Sequence, residues 1–266
     1  MKKLLSTAVV VIVCFVASAQ EPSGKGKNKD DERREKINAL KKQAEEGILI
    51  FNKQNIFGLQ LRSNGYGIFY ELGKMKTNRK TNLYRIDITE IKHYKEEKVP
   101  AGGVVFGNPY IYGKVNNFYQ LTLGFGQQYI LGQKGNKNGV AVSLLYNAGL
   151  ALGFLRPYYL EIQDPMVGQN RYIRYTQEDS ALFLNNAVII GGGGLSKGWG
   201  EIKVTPGAFG KFAFRFDYGR FNEVVSGIEV GISAEYYTKN MEVVLFQKEK
   251  QLYLQTYIAV LFGRRK

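Results

Sequence analysis

Most of the chain after about Asn55 alternates apolar and polar residues with a period of two. Successive side chains of a β-strand point to opposite faces, so this period predicts strands and not helices. In the clearest segment the apolar positions are Phe212, Phe214, Phe216 and Tyr218, and the positions between them are Lys211, Ala213, Arg215 and Asp217.

The length of the alternation separates two kinds of β-protein. The pattern runs without a break from Val140 to Leu155, whereas strands of soluble proteins usually have about 5 or 6 residues. A tilted strand that crosses a membrane needs about 9 to 11 residues. The length therefore favours a membrane barrel. An aqueous β-sandwich that buries the phenylalanines remains compatible with the Phe212 segment taken alone.

The alternating segments predict an all-β fold, a small antiparallel transmembrane β-barrel of about eight strands. If the chain begins in the periplasm, the inner turns are short and three of the four outer loops are long, as bacterial barrels require. The apolar run Ala181–Ile190 is either a helix or hairpin that caps the barrel or an added pair of strands, which would make ten. The predicted inner turns are Met75–Thr81, Gly132–Asn138 and Gly219–Glu223, and the outer loops are Asn64–Gly65, Glu96–Lys114, Arg156–Pro206 and Thr238–Lys250.

The first 54 residues differ from the rest. Residues 1–19 combine Lys2 and Lys3, an apolar run and an Ala-Ser-Ala ending, which predicts a cleaved secretory signal peptide. An N-terminal membrane anchor is the alternative, but the run is shorter than the roughly 20 residues of a spanning helix. Residues 20–54 are predicted to form a periplasmic linker followed by a short helix within Asp30–Glu46. Residues 55–266 are predicted to form the outer-membrane barrel, with a long extracellular loop at 156–206.

Composition narrows the choices further. The chain has 18 Tyr, 16 Phe and 31 Gly against 6 Pro, which suits a barrel with lipid on one side of each strand. Cleavage would remove Cys14, which is the only cysteine. The mature chain could then form no disulfide, no zinc thiolate site and no cysteine nucleophile. The formal charge is +14, or about +12 without Lys2 and Lys3. For an exported chain, an anionic lipid surface is a better partner than nucleic acid.

Several stretches resemble a family of poorly characterised outer-membrane β-barrel proteins of Bacteroidetes. They are the Ser-Ala-Gln ending of the leader, YGKVNNFYQLTLGFG (112–126), GNKNGVAVS (135–143), LRPYYLEI (155–162) and the basic ending FGRRK (262–266). These are turn and strand motifs, so the resemblance implies a fold and a location and no reaction. The ending departs from the usual barrel signal, because Phe262 is followed by Gly263–Lys266, which is expected to be a tail.

Charged residues occupy the face opposite the apolar one and are therefore predicted to lie in the lumen. An eight-stranded barrel has an interior just wide enough for side chains, and unpaired charges there would be costly. We expect a salt-bridged plug, with a proton or ion path as the alternative. The predicted lumen network comprises Arg62, Glu71, Arg85, Asp87, Lys211, Arg215, Asp217, Glu229 and Glu235.

The apolar face of each strand is predicted to contact lipid. Its members on three of the strands are Phe212, Phe214, Phe216, Tyr218, Leu144, Leu150, Leu152, Ile258, Val260 and Phe262.

Catalytic candidates are few. His93 is the only histidine, and it is predicted at the outer end of the third strand, where it could act as the base of a lipid-modifying enzyme. Glu90 or Glu96 could orient it, and the nearest serine in sequence is Ser63. An interfacial histidine without a catalytic role is the simpler interpretation. One histidine and dispersed carboxylates predict no metal site, and no cofactor is expected.

The sequence thus predicts a non-enzymatic outer-membrane barrel that serves as a structural or accessory subunit of an envelope complex. Its expected partners are outer-membrane lipid and lipopolysaccharide, and other envelope proteins through the outer loops or the periplasmic helix. Two alternatives remain: a lipid-modifying enzyme that uses His93, and a narrow transporter or channel.

Overall fold

The computed structural model describes residues 34, 37–38, 51–100, 108–135, 138–165, 168–219 and 223–266. The chain divides into two units, Met1–Lys42 and Gln43–Lys266. Within the first, Arg34, Ile37 and Asn38 are helical and exposed, and the predicted signal peptide lies outside the described residues. Among the described residues, no helix combines the length and apolar character needed to cross a bilayer.

The second unit is built almost entirely of strands. Its elements are β1 (Lys53–Arg62), β2 (Gly65–Thr77), β3 (Lys80–Ile91), β4 (Lys98–Val99), β5 (Tyr110–Ile111), β6 (Asn116–Gly132), β7 (Ala141–Pro157), β8 (Tyr159–Gln163), β9 (Asn170–Arg174), α1 (Ser180–Phe183), β10 (Ile189–Gly192), a 3-10 turn (Trp199–Glu201), β11 (Lys203–Asp217), β12 (Val224–Met241) and β13 (Lys250–Arg265).

Eight strands close into an antiparallel barrel in the order β1-β13-β12-β11-β7-β6-β3-β2. The seam joins the first and last strands, with Gln54 opposite Arg265 and Arg62 opposite Tyr257. Closure gives every barrel strand a neighbour on both sides, so the sheet has no edge strand of the kind that is a hazard in an open sheet. The predicted all-β, eight-stranded barrel is confirmed. The ten-stranded alternative is wrong, because β8, β9 and β10 form a separate three-stranded sheet.

The connections differ between the two ends of the barrel. At one end, here called the short-turn end, β2–β3, β6–β7 and β11–β12 are joined by residues 78–79, 133–140 and 218–223. At the other, the long-loop end, residues 92–115 and 158–202 make long connections, residues 242–249 join β12 to β13, and β1–β2 is joined by a tight turn.

Several strands extend further than the alternation indicated. The β2–β3 turn is limited to residues 78–79, within the predicted Met75–Thr81, because cross-strand pairs continue to Thr77 and Lys80. The expected tail after Phe262 is also wrong, because β13 continues to Arg265. Backbone hydrogen bonds between Lys53 and Lys266 then secure the chain end against β1.

Candidate functional site

The barrel interior holds the densest group of charged side chains in the described structure. The two-residue period directs every second side chain inward. All nine residues of the predicted lumen network are buried, Arg62 being the most accessible at 8%. Each interior carboxylate has at least one cationic partner, as the cost of burying an unpaired charge requires.

Arg215 is at the centre of this network. Its two terminal nitrogens donate to the two carboxylate oxygens of Glu71 at 2.7 and 2.8 Å, and one of them also donates to Glu229 at 2.6 Å. Glu71 belongs to β2 and Arg215 to β11, and these strands are four places apart in the ring of eight. The bidentate pair therefore crosses the full width of the lumen, with the fixed geometry of a guanidinium–carboxylate contact.

A second pair crosses the lumen between another two opposite strands. Arg85 on β3 donates to Glu229 on β12 at 2.7 Å, and Tyr257 donates its hydroxyl proton to the same carboxylate at 2.7 Å. The Arg85 guanidinium also lies 3.6 Å from the centre of the Phe69 ring. Glu229 also accepts from Arg215, so the two transverse pairs form one connected cluster.

Asp87 extends the cluster toward the long-loop end. Its carboxylate accepts from Lys211 at 2.6 Å, from Thr122 at 3.0 Å and from Gln60 at 3.1 Å. Arg85 also contacts it, at 3.2 Å. A carboxylate with four donors is held in one orientation.

A further layer forms around Arg62. This guanidinium pairs with Glu235 and donates to Gln120 at 2.8 Å and to Ser233 at 3.0 Å. Gln255 donates to the same Ser233 hydroxyl at 3.1 Å. Strands β1, β6, β12 and β13 are thereby joined across the lumen by side chains alone.

Asp217 has partners that the sequence analysis did not identify. It pairs with Arg265 at the end of β13 and with Lys134 in the β6–β7 turn at 3.5 Å. Arg265 falls on the inward phase of its strand, the same phase as Gln255 and Tyr257. This phase is the available signal, and it applies because residues 263–265 belong to β13 and not to a tail. Lys134 lies in a turn, where no period could indicate its direction.

Apolar layers flank the charges. Toward the long-loop end, Phe118 packs edge-on against Tyr237 and Tyr253, with ring centres 5.5 Å apart in both pairs. The wider cluster there comprises Ile91, Phe118, Ala151, Leu155, Phe209, Tyr237, Met241 and Val243. Beside the central charges, the cavity lined by Glu71, Arg85, Lys211 and Glu229 measures about 10 Å³, room for no more than about one water molecule.

The outward face of the barrel is apolar and accessible. Of the predicted lipid-facing residues, Leu144 and Leu152 are half-buried and the others are exposed, from 39% at Phe216 to 65% at Leu150. The exposed apolar face continues around the other barrel strands. Its residues there include Leu59, Leu61, Ile68, Ile86, Ile88, Leu123, Phe125, Val230 and Ile232. Such a continuous apolar surface far exceeds the isolated patches that soluble proteins expose.

His93 lies just beyond β3 at the long-loop end. Its Nδ1 accepts from the Lys95 backbone N–H at 3.3 Å, and burial is the main cause that lowers its pKa from the ordinary value. The candidate orienting carboxylates are engaged elsewhere. Glu96 accepts from the His93 backbone N–H at 2.9 Å and from Lys114 at 2.7 Å, and Glu90 accepts from Tyr66. Neither bonds to the imidazole in the described part of the chain.

The loop 158–202 forms a small core together with Tyr110 of β5. The β10-β8-β9 sheet and helix α1 enclose a cluster of Tyr110, Leu160, Ile162, Ile173, Phe183 and Ile189. At the junction with the barrel, Tyr119 stacks on Trp199, and the Arg156 guanidinium lies beside both rings, 5.5 and 4.8 Å from their centres. The long-loop end is thus a folded surface with fixed side chains. Among the residues that the structure describes, no group of three or more potential ligands could hold a metal ion.

Comparisons with known proteins return structural likenesses alone. No protein-family model matches the chain, and no curated protein matches it. The solved structures that resemble it include Neisserial surface protein A, with 10% identity, 80% of this chain and 96% of that one covered, and a TM-score of 0.38. Ail of Yersinia pestis, solved with the heparin analogue sucrose octasulfate, has 9% identity over 82% of this chain and 100% of that one, with a TM-score of 0.38. The N-terminal β-barrel domain of Pseudomonas aeruginosa OprF has 10% identity over 80% and 98%, with a TM-score of 0.35.

Proposed function

We propose that this protein is an integral outer-membrane β-barrel with its long-loop end outside the cell and a signal peptide at residues 1–19. The apolar outward face supports the membrane location. The barrel strands contain 10 to 18 residues, and about 9 to 11 suffice to cross a bilayer. The orientation follows the rule that bacterial barrels place short turns in the periplasm and long loops outside.

The barrel is closed and acts as a rigid support, without conducting solutes and without catalysing a reaction. The observation that carries this proposal is the transverse Arg215–Glu71 pair, together with the Arg85–Glu229 pair beside it. A guanidinium joined to carboxylates across the full lumen leaves no path for a hydrated ion. Glu90 and Glu96 are engaged by groups other than the His93 imidazole, which argues against a catalytic role for that histidine.

The functional surface in this proposal is the long-loop end, with its separate sheet and its own core. A folded surface on a closed anchor suits a structural or accessory subunit of an envelope complex. The sequence resemblance to outer-membrane barrels of Bacteroidetes also supports an envelope protein. The predicted periplasmic helix within Asp30–Glu46 would supply a second contact on the other side of the membrane.

Three measurements test the proposal. Envelope fractionation should place the protein in the outer membrane, and unheated samples should migrate differently from boiled ones on a gel. Recording in planar bilayers should show no discrete conductance steps, whereas stable steps would overturn the closed-barrel part of the proposal.

The subunit role requires a separate experiment. A photo-crosslinking residue at the exposed Tyr172 of β9 should capture a specific envelope protein in cells. The same residue placed at the lipid-facing Val230 is the matched control and should capture none. A strictly monomeric protein after mild detergent extraction, with no crosslink from Tyr172, would contradict the role.

A further inference from the structure

A notch interrupts the barrel wall at the long-loop end. The tight β1–β2 turn stops β1 at Arg62, which is paired with Tyr257, while β13 begins seven residues earlier at Lys250. The first part of β13 is therefore paired with β12 on one side and with no barrel strand on the other. A cavity of about 430 Å³ occupies this place, between Leu252–Leu254 of β13 and residues 91–94 beyond β3.

The notch is strongly basic. Lys92, Lys248 and Lys250 line it and are exposed, and Glu249 is the one carboxylate among its described lining residues. Lys92 lies 4.9 Å from the centre of the Tyr66 ring and Lys250 lies 5.7 Å from that of Tyr94. These cations form no ion pair among the described residues, so their charge is available to an external anion.

A shallow groove of about 760 Å³ lies on the outer wall beside the notch. Its floor is a row of small residues at one height, with Gly210 of β11 paired to Ala148 of β7 and to Ala234 of β12. Larger side chains, Phe212 and Ile232 among them, border the row. A Cβ built on Gly210 would meet no atom within 4 Å, so the groove is open space against the apolar face.

The two cavities are continuous. Ser63 and Leu254 line both of them, and Leu254 is 73% exposed. A basic opening at the rim that continues into an apolar groove on the lipid-facing side matches a molecule with an anionic head and a hydrocarbon chain. The cluster of three lysines favours a headgroup with more than one phosphate charge over a zwitterionic one.

We propose that this continuous site binds a phosphorylated outer-leaflet lipid of the lipid A type. Lys92, Lys248 and Lys250 hold its phosphates at the rim, and one acyl chain lies over Ala148, Gly210 and Ala234. The proposal rests on the membrane location and orientation proposed above, because these place the rim at the level of the outer headgroups.

The headgroup half is tested with the full-length protein, extracted from envelopes in mild detergent and examined by native mass spectrometry. The wild type should retain lipid A, and delipidated protein should rebind purified lipid A. The K92Q/K248Q/K250Q variant should lose affinity at least about tenfold, from the loss of three cations. The control is K74Q/K76Q/K80Q, which removes the same charge from exposed lysines at the short-turn end and should bind as the wild type does.

The chain half is tested by filling the groove. Gly210→Leu places a side chain in open space, so the barrel should fold, and lipid A retention should fall severalfold. Ser226→Leu adds the same aliphatic bulk to the outward face of β12 at the short-turn end and should leave retention unchanged.

The outcomes separate this inference from the proposed function. Barrels that shift on heating and fractionate with the outer membrane, but retain no lipid A or retain it equally in both lysine variants, would overturn the lipid site alone. Retention of zwitterionic phospholipid in place of lipid A would also overturn it. Loss of the heat shift and of membrane location in the wild type would refute the proposed function and the lipid site together.

Discussion

Single residues inside the barrel differ sharply in what their charges contribute. A surface ion pair is worth little because water competes for both partners. A buried pair is different, because removal of one partner leaves an uncompensated charge that cannot reach water. Arg215 is nearly inaccessible and faces two carboxylates, so it is the interior residue whose loss should matter most.

Replacement of Arg215 by Met should lower the free energy of unfolding by about 3 to 5 kcal/mol, since Glu71 loses its bidentate partner. Urea titration in lipid vesicles, followed by the gel shift, would measure this. Arg171→Met is the control, because Arg171 also contacts two carboxylates but is 43% exposed, and its loss should cost roughly 0 to 1 kcal/mol. Equal losses for the two variants would contradict the assigned role of the interior pairs.

Adjacent arginines at the end of β13 provide a second comparison. Arg265 points inward to Asp217 and is buried, while Arg264 is exposed on the opposite face. Arg265→Gln should destabilise the barrel by roughly 1 to 3 kcal/mol, because Asp217 retains Lys134 as its only cationic partner among the described residues. Arg264→Gln should change nothing in the same assay. The reverse order of effects would mean that the final residues are not a strand.

Glycines on the two faces should respond differently to the same substitution. A Cβ on Gly58 would lie 2.3 Å from the Phe69 ring, which is itself held against the Arg85 guanidinium, whereas a Cβ on Gly210 meets no neighbour. Gly58→Ala should therefore lower stability by about 1 to 3 kcal/mol through overpacking. Gly210→Ala should be neutral, and thermal gel-shift midpoints would show the difference.

At the scale of elements, the strands were predictable and their partners were not. The two-residue period fixes which side chains face inward, as in the Phe212 segment, because it depends only on local backbone geometry. It carries no information on which strands stand opposite each other in the ring. The Arg215–Glu71 contact depends on strand order and register, so the sequence could place both residues in the lumen without pairing them.

The separate β10-β8-β9 sheet is not predictable from the sequence, for a related reason. Strands β8, β9 and β10 contain four or five residues each, too few for an alternation to be distinguished from chance. The apolar run Ala181–Ile190 was noticed, but it resolves into one turn of helix and part of β10. Short elements that are stabilised by a shared core leave little periodic signal in sequence.

Because the β10-β8-β9 sheet packs on a cluster separate from those inside the barrel, it should be separable from the barrel. Replacement of residues 158–202 by a short glycine-serine turn between β7 and β11 should leave the heat-dependent gel shift intact and abolish partner crosslinks from the outer surface. A chain that no longer folds after this replacement would show that the outer sheet is needed to complete the barrel.

At the scale of the whole molecule, the closed barrel has two faces and two ends that differ in their chemistry. In the function proposed above, the inward face gives rigidity, the outward face contacts lipid, and the long-loop end is the surface for recognition. About half of the charged residues on the barrel strands form ion pairs inside the barrel.

The transverse pairs also bear on how such a molecule could assemble. Glu71 and Arg215 are far apart in a flat sheet, and they meet only when the sheet has curled and its first and last strands have joined. Half-formed intermediates would therefore carry isolated ions on the concave side, and each would be costly away from water. Folding should consequently proceed as a single cooperative step, so a chain truncated before β13 is expected to be degraded and not stored as an incomplete cylinder.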